Sequence, residues 1–357
     1  MNSPLETISE PRAKCSLIAQ GYAQGACETR TSEGKTAPAC AVTLRRVGGA
    51  WQRVIRSIHL SRPEHYLSIY QSGCNHHCRK CHSAEFSKCV NGDWISTDDL
   101  AELAAQYAQH ITVWEPRERA TMWHATDLCR GCGACVLYGK RGALCPGVLD
   151  SQQVVFSPQG FGPARNIVAF TGGDLACRAE FYAEATRKIK ARSPNLWVLL
   201  ETNGYGLTPT NLDLLAEAGL DAFWLDLKAY DEAVYRALCG TTNEWILRAP
   251  EEIVRRGMVV EVLTLYLPGW VETDQIARLA RLVAQTDPNI PFTLLAFFPA
   301  YRLQEVRRPT VEEMLTAYEA CVAAGLRHLK LGNCGVFTRT EADWERLLTT
   351  VGASALG

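Results

Sequence analysis

The sequence predicts an α/β chain, a partial (β/α)6 TIM-like barrel interrupted by one small cysteine-rich insert. Three observations lead there. From residue 167 onward, short apolar β-rich runs alternate with segments of helical periodicity, the pattern of buried parallel strands joined by right-handed crossovers. An alternating apolar run over 65–72 adds a strand ahead of them. Between the two, residues 111–164 lose the pattern and crowd cysteine with glycine. The expected organisation is therefore a weakly ordered N-terminal extension over 1–60, a barrel over 61–110 and 165–340, and a cluster-binding insert over 111–164.

The extension holds Cys15, Cys27 and Cys40 among Gly, Ala, Ser and Thr, with little apolar periodicity. Their gaps of 12 and 13 residues match no ligand motif, so they read as unpaired thiols, the alternative being that they cap a cluster or close the active site. Arg45, Arg46, Arg53 and Arg56 read as a solvated basic face. The strand over 65–72 ends at Gly73, and Ser96 or Thr97 then caps a helix through 98–109, with Asp98 and Asp99 in its favourable first turn. Further strands are expected at 167–172, 196–202, 222–227, 259–267, 292–298 and 328–332. Helices are expected near 177–192, 210–218, 231–238, 247–256, 272–286 and 311–324.

At 357 residues the chain suits one large core plus an insert. A formal charge of -1 gives no global attraction to nucleic acid or to an anionic membrane. No apolar run reaches the length of a membrane span, and the N-terminal residues lack a basic start and apolar core, so the expected location is the cytoplasm. Fifteen cysteines in such a chain read as metal ligands rather than disulfides.

Seven of them fall into two arrays. Cys74, Cys78 and Cys81 follow the strand over 65–72 as Cys-x3-Cys-x2-Cys. Three thiolates are one short of a closed site, and a catalytic centre is the kind that leaves a position open. A [4Fe-4S] cluster here would keep one iron free; three buried thiols or a zinc loop are the alternatives. Cys129, Cys132, Cys135 and Cys145, followed by Pro146, form the second array, with Gly131, Gly133, Gly139 and Gly142 letting the backbone wrap closely. These four are assigned to one auxiliary [4Fe-4S] cluster, with zinc the alternative.

The first array resembles the signature of the radical S-adenosylmethionine (SAM) superfamily. That resemblance implies that the open iron takes the SAM amino and carboxylate groups. An electron, from a donor such as flavodoxin or ferredoxin, then cleaves SAM to methionine and a 5′-deoxyadenosyl radical. The second array resembles the bacterial ferredoxin run, although its last gap is nine residues rather than three. Thr171-Gly172-Gly173-Asp174 resembles the superfamily's Gly-Gly-Glu-Pro stretch, with Asp for Glu and Leu175 for Pro, and implies a backbone and acid that hold the SAM amino group.

Glu201-Thr202-Asn203-Gly204, Asp226-Leu227-Lys228, the stretch 229–247 and Leu267-Pro268-Gly269 resemble the pyruvate formate-lyase activating branch. By that resemblance Glu201 and Asn203 bond the ribose or amino groups, and Asp226 and Lys228 belong to the cofactor site, Lys228 neutralising the SAM carboxylate. Lys80 stands where the superfamily commonly has an aromatic residue, so His82 or Phe86 is left to stack on adenine or simply to pack. Asn333 is expected to line the cavity, and Cys334 to be an inert buried thiol.

The chain as a whole also resembles radical SAM hydroxylases of the C-7 methyl of bacteriochlorophyllide c in green sulfur bacteria. The implied activity is anaerobic hydroxylation of a pigment-sized substrate towards a formyl group, with the auxiliary cluster taking the second electron. Trp51, Trp94, Trp114, Trp123 and Trp224 either line an apolar cavity for it or belong to the core. The alternatives are a glycyl-radical activating enzyme acting on a partner protein and a non-catalytic iron-sulfur electron carrier.

Overall fold

A computed structural model describes residues 15–357, and the first fourteen residues of the expected extension lie outside it. β1 (Glu28–Arg30) and β2 (Thr36–Pro38) form a small hairpin, and β3 (Leu44–Val47), β4 (Ala50–Leu60), β5 (Leu67–Gln71) and β6 (Asp93–Ser96) follow. A second hairpin, β7 (Val155–Ser157) with β8 (Gly160–Gly162), precedes β9 (Ile167–Gly172) and β10 (Trp197–Thr202). The chain then forms β11 (Ala222–Asp226), β12 (Val259–Tyr266), β13 (Phe292–Ala296) and β14 (Leu329–Gly332).

Ten strands make one mixed sheet in the order β14-β13-β12-β11-β10-β9-β5-β4-β3, with β6 also paired to β4. The run from β5 to β14 is parallel throughout, each strand beside its predecessor in the sheet, and β4, β3 and β6 extend the β5 edge antiparallel. Seven strands are therefore parallel. The crossover helices lie close to their expected bounds, among them Ala179–Arg192, Pro209–Glu217, Glu232–Cys239, Thr273–Thr286 and Val311–Ala323. Capping boxes, Ser96 with Asp99 and Thr310 with Glu313, start two helices where the sequence changes period. Among the described residues no helix is long and apolar enough to cross a membrane.

Strand alternation divides the sheet into two faces. Val168, Phe170, Val198, Leu200, Phe223, Leu225, Val262 and Phe292 join the main core with the helices. The alternate residues Ile167, Ala169, Leu199 and Ala222 form a smaller cluster with Tyr66 on the other face. That second face turns polar along β10 and β12. Glu201 accepts hydrogen bonds from the Tyr66 hydroxyl at 2.8 Å and from Thr171, and Glu261 accepts one from the Trp123 amide at 3.1 Å. Burial pushes the Glu201 carboxyl up to about 8, opposed by the Thr171 bond.

The N-terminal segment corrects the sequence reading. Residues 44–60, expected in a weakly ordered extension, supply two strands of the sheet. Arg53, expected on a solvated face, is fully buried. Its guanidinium donates to the Tyr182 hydroxyl and, at 2.8 Å, to the Gly173 carbonyl. The apolar neighbours Val54 and Ile55 carry the strand into the sheet, and carbonyls take over the solvation of the charge.

The insert follows the helix Thr97–Ala108 and precedes β9, so it docks at the N-terminal ends of the parallel strands. Arg62 donates to the carbonyls of Pro163 at 2.8 Å, Gly162 at 3.0 Å and Val155 at 3.1 Å. The His65 ring lies 3.3 Å from the Cys129 carbonyl. A Cβ at Gly162 would stand 2.2 Å from that ring, so only glycine permits the approach. Buried Arg165 pairs with Glu115 and donates to the carbonyl of Thr121 at 2.8 Å, while Lys330 bonds Asp127 at 2.6 Å and Thr126 at 2.9 Å.

Two outcomes follow. Arg53→Ala is expected to lower unfolding stability by about 3 kcal/mol, because it strands several buried acceptors at once, as urea denaturation would report. Folded Glu201 keeps its proton over a range where the unfolded chain, near 4.5, has lost it, so this group makes stability fall as pH rises from about 4.5 to about 8. Glu201→Gln is expected to flatten that fall by on the order of 3 kcal/mol, measured as urea midpoints at both ends of the range.

Candidate active site

The C-terminal ends of β5, β9, β10 and β11 lie side by side in the sheet, and the loops that leave them interlock. At the end of β5, Gly73 has φ 78° and the chain turns into the three-cysteine loop. Cys74 and Cys78 are buried and Cys81 is half-buried. Gly173, at the end of β9, donates its N–H to the Gln71 carbonyl at 2.7 Å. Its position is closed to any side chain, since a Cβ there would stand 2.2 Å from the Gly73 carbonyl oxygen.

Asn75 and Asp174 knit the loops together. The Asn75 amide N–H donates to the Asp174 carbonyl at 2.8 Å, and its side-chain amide donates to the Tyr205 carbonyl at 2.6 Å. Asn203 donates to the Asn75 side-chain oxygen at 2.7 Å, and the same nitrogen lies 3.8 Å from the Cys74 sulfur. The Asp174 carboxylate accepts from Thr202 Oγ1 at 2.7 Å, from Asn203 N–H at 2.8 Å and from Ala176 N–H at 2.7 Å. Its acceptors are thus engaged in holding the loop after β10 and its own turn.

The second half of the site centres on Cys78. Asp226 and Lys228, at the end of β11, form an ion pair. Burial works against the Lys228 charge, but Asp226 and the thiols of Cys78 and Cys239 outweigh it and raise its pKa. A hydrogen bond with Cys239, helped by Lys228 and Lys88, holds Cys78 down at about 6 against burial. Cys74 is pushed up to about 11 by burial, with Lys88 acting the other way. The backbone around Cys239 fastens this loop, taking the N–H of His77 at 2.9 Å on the Cys239 carbonyl and that of Arg79 at 2.7 Å on Leu238.

The structure therefore gathers Cys74, Cys78, Gly172, Gly173, Asp174, Asn203, Asp226 and Lys228. Cys81 lies on the same loop, its sulfur 3.2 Å from Ser87 Oγ. Glu201 is turned to Tyr66 and Thr171 on the face that Asp226 shares by alternation. Asn75, Lys88 and Cys239 were missed by sequence reasoning; Asn75 lies inside the array and Cys239 inside 229–247, where each was legible. Lys80 stacks on Phe298, its nitrogen 3.6 Å from the ring centroid. Phe86 is buried and wedged against Gly172, whose Cβ would stand 2.7 Å from the ring.

The five expected tryptophans do not gather. Trp51 and Trp94 lie under arginines on β4 and β6, Trp114 is exposed, and Trp224 is on β11. Trp123 lines a cavity of about 370 Å³ with Lys330, Asn333 and Cys334, away from the cysteine loop.

The second array lies beyond the opposite end of β5, next to His65. Gly131 donates its N–H to the Cys129 sulfur at 3.3 Å, Arg141 reaches the Cys145 sulfur at 3.6 Å, and a Cβ at Gly142 would stand 2.9 Å from that of Cys132. Burial raises the Cys129 thiol against the bond from Gly131, and Cys132, Cys135 and Cys145 raise it further. Among the described residues no three Cys, His, Asp or Glu side chains converge tightly enough for one metal ion. The thiolates of a [4Fe-4S] core each sit on their own iron, and both donor sets fit such a group in number and chemistry.

The radical SAM superfamily model matches residues 160–283. A Methanocaldococcus jannaschii protein provisionally named as a glycyl-radical enzyme activating enzyme is 24% identical over 173 residues, 47% of this chain and 63% of that protein. An uncharacterised protein of the same organism is 25% identical over 145 residues, 40% of this chain and 42% of its own length. The chain thus spans less than two thirds of either relative. A solved domain of a pyruvate-formate lyase-activating enzyme from Bacteroides vulgatus is similar at 17% identity and a TM-score of 0.38, covering 46% of this chain and 98% of that one. The superfamily match falls on the strands whose ends lean on the three-cysteine loop.

Proposed function

We propose that this chain is a radical SAM oxidoreductase that holds a [4Fe-4S] cluster on Cys74, Cys78 and Cys81, with one iron open to SAM, and takes hydrogen from an unactivated C–H bond. The observation that carries the reading is the convergence of the ends of β9, β10 and β11 on the cysteine loop after β5. When bound, the reduced cluster supplies the electron that cleaves SAM to methionine and a 5′-deoxyadenosyl radical. Gly172 and Gly173 keep that side of the loop free of side chains, and Asp174 positions Asn203 beside Cys74. Lys228, with Asp226, sets a half-buried charge pair beside Cys78 that suits the carboxylate and amino groups of SAM. Glu201, protonated near neutral pH, offers a hydroxyl donor for the ribose on the face it shares with Asp226.

In this reading residues 61–110 and 165–340 are a partial (β/α)6 TIM-like barrel, and 111–164 a ferredoxin-like insert. Cys129, Cys132, Cys135 and Cys145 then hold an auxiliary [4Fe-4S] cluster. The substrate we infer is the C-7 methyl of bacteriochlorophyllide c, on the resemblance of the whole chain. Each of two rounds removes one hydrogen atom and one further electron, and water supplies the oxygen on the way to a formyl group. A low-potential flavodoxin or ferredoxin would reduce the first cluster. The second reading, activation of a partner protein's glycine, is favoured by the similarity to the Methanocaldococcus jannaschii protein.

Anaerobic turnover of reconstituted protein with the pigment, counting 5′-deoxyadenosine against product, separates these readings. Two equivalents per formyl product support the hydroxylase, whereas a glycyl-radical signal in a partner supports the activase. Reduced protein that makes no 5′-deoxyadenosine would sink both and leave an electron carrier. Cys74→Ala is expected to abolish 5′-deoxyadenosine formation. Cys132→Ala, altered at the far end of β5, is expected to keep it and lose the oxidised pigment. Lys228→Met is expected to raise the KM for SAM about tenfold, the loss of one charge-assisted contact.

A further inference from the structure

Four cysteines outside both arrays meet on the side of the sheet that carries the three-cysteine loop. Cys177 is buried in the turn after Asp174, against Gly206, where a Cβ would stand 2.5 Å from the Cys177 nitrogen. Ser16, next to Cys15, donates its hydroxyl to the Cys177 carbonyl at 2.6 Å. The Cys27 carbonyl accepts the N–H of Ala39, the neighbour of Cys40, at 2.7 Å. Ala39 in turn packs on the active-site turn, its Cβ 3.2 Å from the place a Cβ would take on Gly73. The Tyr205 hydroxyl closes the ring of contacts, donating to the carbonyls of Ala23 at 3.0 Å and Gln24 at 3.2 Å between Cys15 and Cys27.

Cys15, Cys27 and Cys40 are half-buried against the main core, and all four thiols are free. Burial raises Cys177, and the charges of Cys40, Cys15 and Cys27 add to the effect. Cys40 is likewise raised by burial and by Cys27 and Cys15, with Arg178 acting against them. Packing alone does not call for four cysteines on segments that dock together beside the active-site turn. The segment that brings three of them has few large apolar side chains and only short elements, helices of four and five residues and two three-residue strands.

We propose that Cys15, Cys27, Cys40 and Cys177 are the ligands of a third thiolate-held centre, an iron-sulfur cluster with one thiolate on each iron, seated beside the Gly172–Asp174 loop. Four soft thiolates select that class of metal and fill its coordination, so the centre binds no substrate. It staples residues 15–43 onto the loops of the active site, and supplies through metal binding the stability that this segment lacks in apolar contacts. Arg178, the neighbour of Cys177 in the chain, carries a charge that acts against the raising of Cys40 and offsets part of the negative charge that four thiolates bring.

The test uses the full chain, reconstituted anaerobically with iron and sulfide in one arm and supplied with zinc in another. Wild type is compared with the double variant Cys27→Ser, Cys40→Ser and with the control Cys321→Ser, a buried thiol on the helix Val311–Ala323. The double variant is expected to lose about four irons per chain in the first arm, while the control loses none. Iron content equal to wild type would overturn the proposal, as would a loss of zinc alone. Should the double variant fail to fold, alkylation mapping of wild type replaces it. Protection of Cys15, Cys27 and Cys40 that disappears on chelation supports the centre, and labelling that is the same before and after chelation overturns it.

Discussion

Two backbones touch where β5 and β9 end, and the rest of the site is arranged on that contact. Gly73 and Gly173 approach so closely that a methyl on the second would overlap the carbonyl of the first. The chain leaving β5 can then run directly beneath the chain leaving β9. Arg53 holds the pair from behind, its charge satisfied by carbonyl oxygens rather than by a carboxylate. A strand from the antiparallel edge thus stabilises loops at the centre of the parallel sheet. Asn75 and Asp174 then pass the constraint to β10, and Cys239 and Lys228 pass it to β11.

Most of the fold was legible because its signals are local. Apolar runs and helical periods mark β9 to β14 and their crossovers within one or two residues. The antiparallel edge was not. In β4 the arginines at 53 and 56 interrupt the apolar pattern, and one of them is buried for reasons that lie on other strands. Pattern reading assigns charge to solvent unless a partner is visible, and here the partners are backbone carbonyls, which no sequence displays.

The site divides along the same line. Cys74, Cys78 and Cys81 are neighbours in sequence, so their spacing could be read directly. Asp174 was legible as an acid at a strand end, but the use of its oxygens depends on the turn after Thr202. Cys177 was invisible as a partner of Cys15, because a separation of more than 160 residues leaves no motif. The end of the parallel sheet that receives the insert, by contrast, was implicit in element order. A segment that leaves a crossover helix and enters a strand must lie at the strand starts, roughly 17 Å of β5 away from the loop that follows it.

The insert is also tied off at its base. Thr112 and Val113, where it begins, donate their N–H groups to the carbonyl of Ala164, where it finishes, at 2.9 and 3.1 Å. The chain leaves the core and returns to it through a single narrow neck, between neighbours that would meet if everything beyond were cut away. Between those two ends the unit is moored to the sheet by Lys330, Glu261 and Arg165, whose buried polar atoms would be left without partners if it swung away.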